Sequence, residues 1–249
     1  MHPDQAKEFT YGIHPVLEAL KSDQEIEKIF IQKGLKNDTS KEISQLARER
    51  NVPIGIVPVE KLNRITRKNH QGVVCYISAI QYASLDSVIE SCYSKAKVPF
   101  VLILDQITDV RNFGAIARTA ECAGVDAIIV PQKGAALITS DAMRTSAGAL
   151  NYLPVCRVKS LPTTVQYLKD SGFEISGASE KSDKTLFDGD FMGPLGIVMG
   201  SEEVGISDEL TQKCNHLYQI PMSGKVNSLN VSVASSIFIF EVIRQRMNN

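Results

Sequence analysis

The second half of this sequence alternates apolar segments with helical ones, and this alternation restricts the possible folds more than any other feature. From residue 99 onward, six apolar segments predict β-strands: FVLILD, DAIIVP, YLPVCRV, FEISGAS, LGIVMG and HLYQIPM. Helical segments lie between them: GAIARTAECAG, SDAMRTSAGAL, LPTTVQYLKDSG and ISDELTQKC. This pattern is typical of a mostly parallel sheet with helices on both faces. With the closing apolar helix LNVSVASSIFIFEVIRQR, it predicts an α/β domain over residues 98–249.

The first 80 residues predict a separate, smaller α/β unit. IHPVLEALKS and SKEISQLARERN have helical periodicity, whereas IEKIFIQ, VPIGIVP and GVVCYISAI read as strands. Residues 81–97 lack a strong apolar stripe, which favours a helical connector between two domains. The 249 residues therefore divide into a unit at 1–80, a linker at 81–97 and a domain at 98–249.

The sequence disfavours secreted, membrane-spanning and metal-binding proteins. The start, MHPDQAKEFTYG, contains no apolar core of a secretory signal, and no apolar run approaches the ~18 residues of a membrane span. The five cysteines are odd in number, widely spaced and include no CxxC pair. This pattern favours free thiols in a reducing compartment. We therefore expect a cytoplasmic protein without a metal site.

One basic segment stands out in a chain whose net charge is only −1. KLNRITRKNHQG, residues 61–72, contains Lys61, Arg64, Arg67, Lys68 and His70 and no acidic residue. Lysine and arginine neutralise phosphates and so supply affinity for nucleic acids. The segment alone fits a solvated basic turn and an RNA-backbone contact equally well.

Polar loops follow three of the predicted strands, at the edge where ligands of open α/β sheets bind. They are DVRNFGAIARTA at 109–120, GIVMGSEEVGIS at 196–207 and IPMSGKVNSLNVSVA at 220–234. Arg118, in the first loop, lies in an alanine-rich helical stretch. Because an unpaired buried arginine is costly, its guanidinium must reach solvent or a ligand.

Each loop also has an ordinary structural explanation. Ser228 would suit a helix N-cap, and Glu202 and Glu203 would favour the positive end of a helix that begins near Ser207. No GxGxxG fingerprint and no P-loop follow the predicted strands. A nucleotide-dependent oxidoreductase is therefore the weakest of the functional alternatives.

Together, the three loops resemble the motifs of the SpoU/TrmH family within the SPOUT methyltransferases. They read Asn-x-Gly-x-x-x-Arg-Thr-Ala, Gly-Ser-Glu-x-x-Gly-Ile-Ser and Ile-Pro-Met-x-Gly-x-x-x-Ser-Leu-Asn-Val-Ser-Val-Ala, in that order. Upstream, YGIHPVLEAL and NHQGVV are similar to the substrate-binding domain of bacterial 23S rRNA guanosine 2′-O-methyltransferases. The resemblance implies an α/β domain with a deep trefoil knot, preceded by an L30e-like RNA-binding unit. It also implies a homodimer formed through the knot region.

The resemblance assigns site residues as well. It implies a catalytic set made of Arg118, Asn112, Glu202, Ser228 and Asn230. It places contacts to S-adenosylmethionine at Gly200, Ile220 and Leu229, with Ala178 as a further wall of the pocket. Because a guanidinium is essentially never deprotonated in proteins, we expect Arg118 to hold a phosphate and stabilise a developing 2′-oxyanion. A role as general base is the less physical alternative.

The resemblance also gives the basic residues a use. The expected RNA contacts are Arg64, Arg67, Lys68, His70 and Arg144, with Arg111 and Lys133 as further candidates. One departure from the family motif is Glu203, which stands where glycine is usual and adds negative charge near the RNA path.

The implied function is S-adenosylmethionine-dependent methylation of a ribose 2′-hydroxyl in RNA, with a guanosine of 23S rRNA as the expected target. Two alternatives stay open within RNA biology. One is methylation of a tRNA guanosine, and the other is an RNA-binding assembly factor that has lost catalysis.

Overall fold

The structure is a computed structural model that describes residues 9–226 and 228–247 and divides into two compact units. Of the described residues, those up to Gln81 form the first unit together with Leu137–Ser140. Tyr82–Ala136 and the described residues from Asp141 onward form the second. Among the helices of these residues, none is long and apolar enough to cross a membrane.

The first unit is a four-stranded sheet with helices packed on it. Its elements are β1 (Phe9–Tyr11), α1 (Ile13–Lys21), β2 (Ile26–Gln32), α2 (Asp38–Glu49), β3 (Ile54–Val57), α3 (Val59–Ile65) and β4 (Val73–Ile77). The strand order is β1-β4-β2-β3, and only the β2–β3 pair is parallel. The predicted strands and helices of this segment are present, whereas β1 and α3 were missed.

The two faces of this sheet are covered unequally. Helices α1 and α2 bury one face, where Val16 and Ile43 pack with Ile29 of β2 in one apolar cluster. Asn37 starts α2 with a capping box, because its Oδ1 accepts a hydrogen bond from the Ser40 amide at 2.7 Å. The opposite face carries a smaller cluster to which α3 contributes.

The basic segment at 61–72 is therefore not simply a turn. Its first part belongs to α3, whose Leu62 is fully buried against the sheet and whose Ile65 packs beside it. Only these two apolar residues anchor the helical half of the segment, so its periodicity was too weak to read among the surrounding charges.

The second unit is an α/β domain built on a six-stranded sheet. The segment Leu85–Met247 contains α4 (Leu85–Ser94), β5 (Phe100–Leu104), α5 (Val110–Cys122), β6 (Ala127–Pro131), α6 (Ser140–Thr145), β7 (Val155–Val158), α7 (Leu161–Asp170), β8 (Glu174–Ala178), β9 (Leu195–Met199), α8 (Asp208–Thr211), β10 (His216–Tyr218) and α9 (Val231–Met247). The strand order is β10-β8-β9-β5-β6-β7, and all five strand pairs are parallel.

Helices cover both faces of this sheet, as predicted. All five residues of β5 are buried, which is expected of a strand covered on both sides. On one face, α4, α7 and α8 pack in a cluster that includes Val101, Val165 and Leu210. Helix α9 packs against α5 and β9. The deep knot implied by the resemblance stays a prediction.

The segment at 81–97 forms a helix, but it is not a connector. Ile89 of α4 is buried with Val101 and Val165 in the core of the second unit. The amide of Ala83 also donates to the carbonyl of Val155 at 2.8 Å. The linker prediction is therefore corrected, since this helix is part of the second unit.

The five cysteines are free thiols, as predicted. Burial raises the pKa of Cys75 and of Cys156 to about 12, and it raises the pKa of Cys214 to about 11. Cys122, on α5, is exposed. Among the described residues no group of His, Cys, Asp or Glu side chains could hold a metal ion.

Arg246 fixes the end of α9 to distant loops. Its guanidinium donates to the carbonyls of Phe191, Val98 and Gly193 at 3.0, 3.0 and 2.6 Å. Five residues earlier, the buried Glu241 accepts two hydrogen bonds from Arg244, which hold the pKa of this carboxyl below its ordinary value. Helix α9 is thus anchored by charge-assisted contacts as well as by packing.

Arg50, which follows α2, caps the C-terminal end of α1 in the first unit. Its guanidinium donates to two carbonyls in the last turn of α1 and two just after it. These are Ala19, Leu20, Ser22 and Gln24, at 3.1, 2.9, 2.8 and 2.8 Å. These carbonyls have few other partners at a helix C-terminus, where the helix dipole favours a cation.

We predict that Arg50→Ala destabilises the protein by about 2 kcal/mol, because several charge-assisted hydrogen bonds are lost together. Chemical unfolding followed by circular dichroism would measure this. Arg48→Ala is the matched control, since Arg48 is exposed in the last turn of α2, the helix that Arg50 follows. Equal stability of the two variants would contradict the capping role.

Candidate active site

Three loops meet where β5 and β9, neighbours in the sheet, reach their carboxyl ends. The first loop enters α5, and Asp109 caps this helix by accepting hydrogen bonds from the amides of Arg111 and Asn112 at 2.6 and 3.1 Å. The helix therefore begins at Val110, before the predicted segment, and Asn112 lies in its first turn. Asp109 and its capping role were not predicted.

Gly114 permits a close approach between α5 and the chain at the end of α6. A Cβ atom at this position would lie 2.5 Å from Cβ of Thr145. This glycine of the first motif is therefore explained by packing alone.

The second loop turns sharply after β9. A Cβ atom on Gly200 would overlap the backbone of Gly205 and Ile206, so no other residue fits there. Ser201 and Gly205 exchange two backbone hydrogen bonds across the turn, at 3.1 and 2.9 Å. At the end of β5, the buried Asp105 accepts from the Ser207 amide at 2.8 Å. Asp105 thus ties the second loop to β5, and sequence reasoning missed it.

The centre of the site is one carboxylate oxygen, Oε1 of Glu202. It accepts hydrogen bonds from Nδ2 of Asn112 at 3.0 Å, Nδ2 of Asn230 at 2.5 Å and the amide of Val231 at 3.1 Å. Nδ2 of Asn230 also donates to Oδ1 of Asn112 at 2.9 Å. One residue from each of the three motifs therefore contributes to a single polar network.

Asn230 is held in one orientation by α9. Its Oδ1 accepts from the amide and the hydroxyl of Ser232, at 3.0 and 2.5 Å, so its NH₂ group faces Glu202. Asn230 is thus the residue that caps α9, a role that Ser228 would have suited. Glu202 lies at the positive end of the same helix. Ser232 was not predicted, although it stands in the third motif.

Arg118 and Ser228 lie outside this network. Arg118 is exposed on α5, and within the described chain no group accepts a hydrogen bond from its guanidinium. The adjacent Thr119 faces α9 instead, with its hydroxyl 3.2 Å from that of Ser236. Ser228 is exposed. The guanidinium of Arg118 therefore reaches solvent, which leaves it available to a ligand.

The residues expected to contact the cofactor lie at the same edge of the sheet. Ala178 ends β8, Gly200 follows β9, and Ile220 and Leu229 belong to the loop between β10 and α9. In the described chain, the backbone groups of Ile220 and Leu229 bond to no other protein group. Both residues are half-buried, so their amides and carbonyls can bind a ligand.

Most of the basic residues expected to contact RNA are exposed. Arg64, Arg67 and Lys68 are exposed in the first unit. In the second unit Arg144 is exposed and contacts Asp141 at 2.6 Å. Their side chains can all reach a large ligand at the surface, but nothing in the structure distinguishes an RNA contact from a solvated charge.

His70 is the exception, and its predicted RNA contact is corrected. The side chain is buried, with 8% of the residue's surface exposed, and both ring nitrogens have partners inside the unit. Nδ1 accepts from the Gly72 amide at 3.0 Å, so Nε2 carries the proton and donates to Oδ1 of Asn63 at 3.0 Å. His70 therefore orders the loop before β4.

We predict that Asn230→Asp makes the stability of the protein depend on pH. The new carboxyl would lie beside Glu202, and two carboxylates at hydrogen-bond distance raise the pKa of the pair. Since the folded-state pKa is raised, the variant is near normal at low pH and loses stability as pH rises through that pKa. We expect a loss of about 1 kcal/mol near neutral pH, since both side chains are exposed and screened by water.

Urea unfolding of the variant and the unmodified protein on both sides of the carboxyl pKa range would measure this effect. Asn69→Asp, at an exposed position of the basic segment, is the control. A loss of stability that is the same at all pH values would show that Asn230 does not face Glu202.

Two protein families match this chain. The SpoU rRNA Methylase family matches residues 99–240. The family described as RNA 2′-O ribose methyltransferase substrate binding matches residues 9–83.

Relatives match almost the whole chain. A protein of Staphylococcus saprophyticus, classed as a TrmH family tRNA/rRNA methyltransferase, is 39% identical over 235 residues, which cover 94% of each chain. A protein of Bacillus subtilis in the same class is 36% identical over 244 residues, which cover 97% of each chain.

Solved structures share the fold. The SpoU methyltransferase AviRb of Streptomyces viridochromogenes, in complex with AdoMet, superposes with a TM-score of 0.62 at 24% identity and covers 97% of this chain and 91% of its own. The AdoMet-bound rRNA methyltransferase of Sinorhizobium meliloti gives 0.58 at 23% identity and covers 95% of this chain and 86% of its own.

Proposed function

Because the chain belongs to the SpoU rRNA methylase family, we propose that it transfers a methyl group from S-adenosylmethionine to a ribose 2′-hydroxyl of RNA. The observation that carries this proposal is the convergence of the three motifs on Oε1 of Glu202. Arg118, on the same helix as Asn112, has no hydrogen-bond partner in the described chain and can act on a ligand.

The residues present fit the methyl donor. Adenine and ribose present hydrogen-bonding edges, and the unused backbone groups of Ile220 and Leu229 are suited to bind them. Gly200 lets the turn after β9 close on the backbone of Gly205 and Ile206, and Ala178 adds little bulk at the end of β8. When bound, S-adenosylmethionine would supply an electrophilic methyl group on a sulfonium, whose sulfur leaves as a neutral thioether when an oxygen nucleophile takes the methyl carbon.

Arg118 is proposed to act on the RNA. A displacement of this kind needs alignment of the nucleophile more than covalent catalysis. The guanidinium would hold the phosphate next to the target ribose and stabilise negative charge as the 2′-oxygen loses its proton to solvent. Asn112, Asn230 and Glu202 would fix the loops around it, and Ser228, exposed before α9, would bind near the 2′-hydroxyl.

The proposed substrate is a guanosine of 23S rRNA. The match of residues 9–83 to a substrate-binding family supports RNA as the substrate. The choice of 23S rRNA rests on the resemblance of YGIHPVLEAL and NHQGVV to 23S enzymes. Arg64, Arg67 and Lys68 would contact RNA phosphates from the first unit and Arg144 from the second. An RNA substrate and five free thiols are consistent with a cytoplasmic protein.

We also propose that two copies associate through α9 in the region of the implied trefoil knot. This helix is apolar on its exposed side as well as its buried side. Val233 and Phe240 are 47% and 52% exposed, whereas Val231 and Phe238 are buried. A surface helix that is apolar all round favours burial against a partner.

We predict that Arg118→Ala lowers methyl transfer by at least ~100-fold, as expected when a charge-stabilising group is removed. Affinity for S-adenosylmethionine should stay within a few-fold, because Arg118 is proposed to contact RNA only. Arg118→Lys should recover part of the activity, since lysine keeps the positive charge but cannot form bidentate hydrogen bonds to a phosphate.

Cys122→Ser is the matched control, since Cys122 is exposed on the same helix and has no proposed role. Isothermal titration would give the cofactor affinity. Loss of cofactor binding in Arg118→Ala would show that the arginine was assigned to the wrong ligand.

The substrate would be identified by methyl transfer from labelled S-adenosylmethionine to protein-free 23S rRNA and, separately, to bulk tRNA. Both products would be digested to nucleosides and separated. Label in 2′-O-methylguanosine from rRNA alone is the expected result. Label in the nucleosides from tRNA would support the proposed reaction but show that the substrate is tRNA. If the protein binds the cofactor but labels neither RNA, and also labels no assembling ribosomal particles, an RNA-binding protein without catalytic activity would be favoured.

A further inference from the structure

We propose that the face of the four-stranded sheet opposite α1 and α2, in the first unit, is a stacking platform for single-stranded RNA. This inference rests on the proposed function, since it assumes that RNA is the ligand. It adds a surface of aromatic rings that lies beyond the basic residues at 61–72. We define the platform by Phe9, Tyr11 and Tyr76 and by three lysines, Lys28, Lys61 and Lys68.

The strand register places the rings side by side on one face. Phe9 pairs with Tyr76 across β1 and β4, and Tyr76 pairs with Lys28 across β4 and β2. The next row on the same face contains Tyr11, Val74 and Phe30. The rings are in contact, because the centroid of Phe9 lies 6.2 Å from that of Tyr11 and 5.9 Å from that of Tyr76.

The three rings are only half-covered. Helices α1 and α2 lie on the other face of the sheet, and α3 contributes to the smaller cluster on this face. Phe9, Tyr11 and Tyr76 are therefore half-buried, whereas the neighbouring Phe30 is nearly fully buried, with 7% exposed. Partly exposed aromatic rings of this kind are suited to stacking on a planar ligand.

Lysines lie over two rings of this face, those of Phe30 and Tyr11. Nζ of Lys61 and of Lys28 lie 4.9 and 5.2 Å from the centroid of Phe30, and Nζ of Lys68 lies 5.9 Å from that of Tyr11. From Val59 to Ile77, Glu60 is the only acidic residue. The face therefore combines π-surfaces with positive charge, which is the combination that single-stranded nucleic acids require.

Single-stranded RNA fits this face better than duplex RNA does. Unpaired bases expose faces that stack on tyrosine, and a four-stranded sheet can present aromatic rings to two or three of them. A duplex hides its base faces and would leave the rings without a function. The lysines would meanwhile neutralise the phosphates between stacked bases.

A structural explanation also exists, because lysine stems commonly cover apolar surface. On that explanation the lysines shield the rings, and their removal affects stability and not RNA affinity. The two explanations are distinguished by binding measurements on the full chain.

The probe is a fluorescein-labelled oligoadenylate of about 12 nucleotides, within the size range of sites on small binding folds. Its affinity would be measured by anisotropy over a range of salt concentrations. Tyr76→Leu and Tyr11→Leu should each weaken binding by roughly 5- to 20-fold, because one stacked base is lost. Tyr76→Phe and Tyr11→Phe keep the ring and should bind like the unmodified protein.

Replacement of the three platform lysines by glutamine should lower the slope of log affinity against log salt by about two, as expected for three phosphate contacts to a single strand. The charge-matched control replaces Lys21, Lys41 and Arg48, which lie on α1 and α2 over the opposite face. Its slope should not change. A duplex RNA hairpin should bind more weakly than the single strand.

Several outcomes would overturn the platform. They are an unchanged affinity in the leucine variants, an equal loss in the phenylalanine variants, or an unchanged salt slope without the three lysines. If the leucine variants fail to fold by circular dichroism, the lysine variant decides. Methyl transfer to rRNA together with any of these results would overturn the platform alone. Failure of the unmodified protein to bind or methylate any RNA would overturn the proposed function too.

Discussion

The hydrogen bonds to Oε1 of Glu202 are the interaction on which the candidate site depends. They join residues as far apart in sequence as Asn112 and Asn230, and they place the N-terminus of α9 beside the loop that follows β9. Glu202 is exposed, so each bond adds little to stability in water. Its importance is geometric, because three donors with fixed backbone positions leave the carboxylate one orientation. The loops that carry Gly200, Leu229 and the start of α5 therefore all meet at this one atom.

The sequence predicted the architecture of the second unit well and that of the first unit less completely. Strands such as β5 and β9 are buried on both faces, so they appear as unbroken apolar runs and are easy to recognise. Strand β1 has three residues and α3 has seven, and both are stabilised by contacts to the sheet and not by their own periodicity. The helix α4 was recognised but assigned to a linker, because burial of Ile89 depends on a core that is distant in sequence.

Site residues that belong to family motifs could be predicted from the sequence. Residues whose role depends on contacts in the folded chain could not. Asn112, Glu202 and Asn230 were found through motifs, and the structure brings them together. Asp105 and Ser232 act by accepting or donating hydrogen bonds that only the folded chain reveals. His70 shows the converse error, because a histidine within a basic segment reads as a surface residue until its ring is found buried between Asn63 and Gly72. Ring pairing across β1 and β4 was likewise invisible without the register.

Helix α9 gives this protein an unusual order of assembly during synthesis. Arg246 bonds to the carbonyl of Val98, 148 positions earlier, and Asn230 bonds to Asn112, 118 positions earlier. A ribosome therefore produces the complete sheet of the first unit, and every strand of the second, before it produces the helix that organises the site. Contacts this distant in sequence form slowly, since the loops they close are long. A nascent chain can thus hold the proposed RNA-binding surface well before the proposed catalytic site is complete.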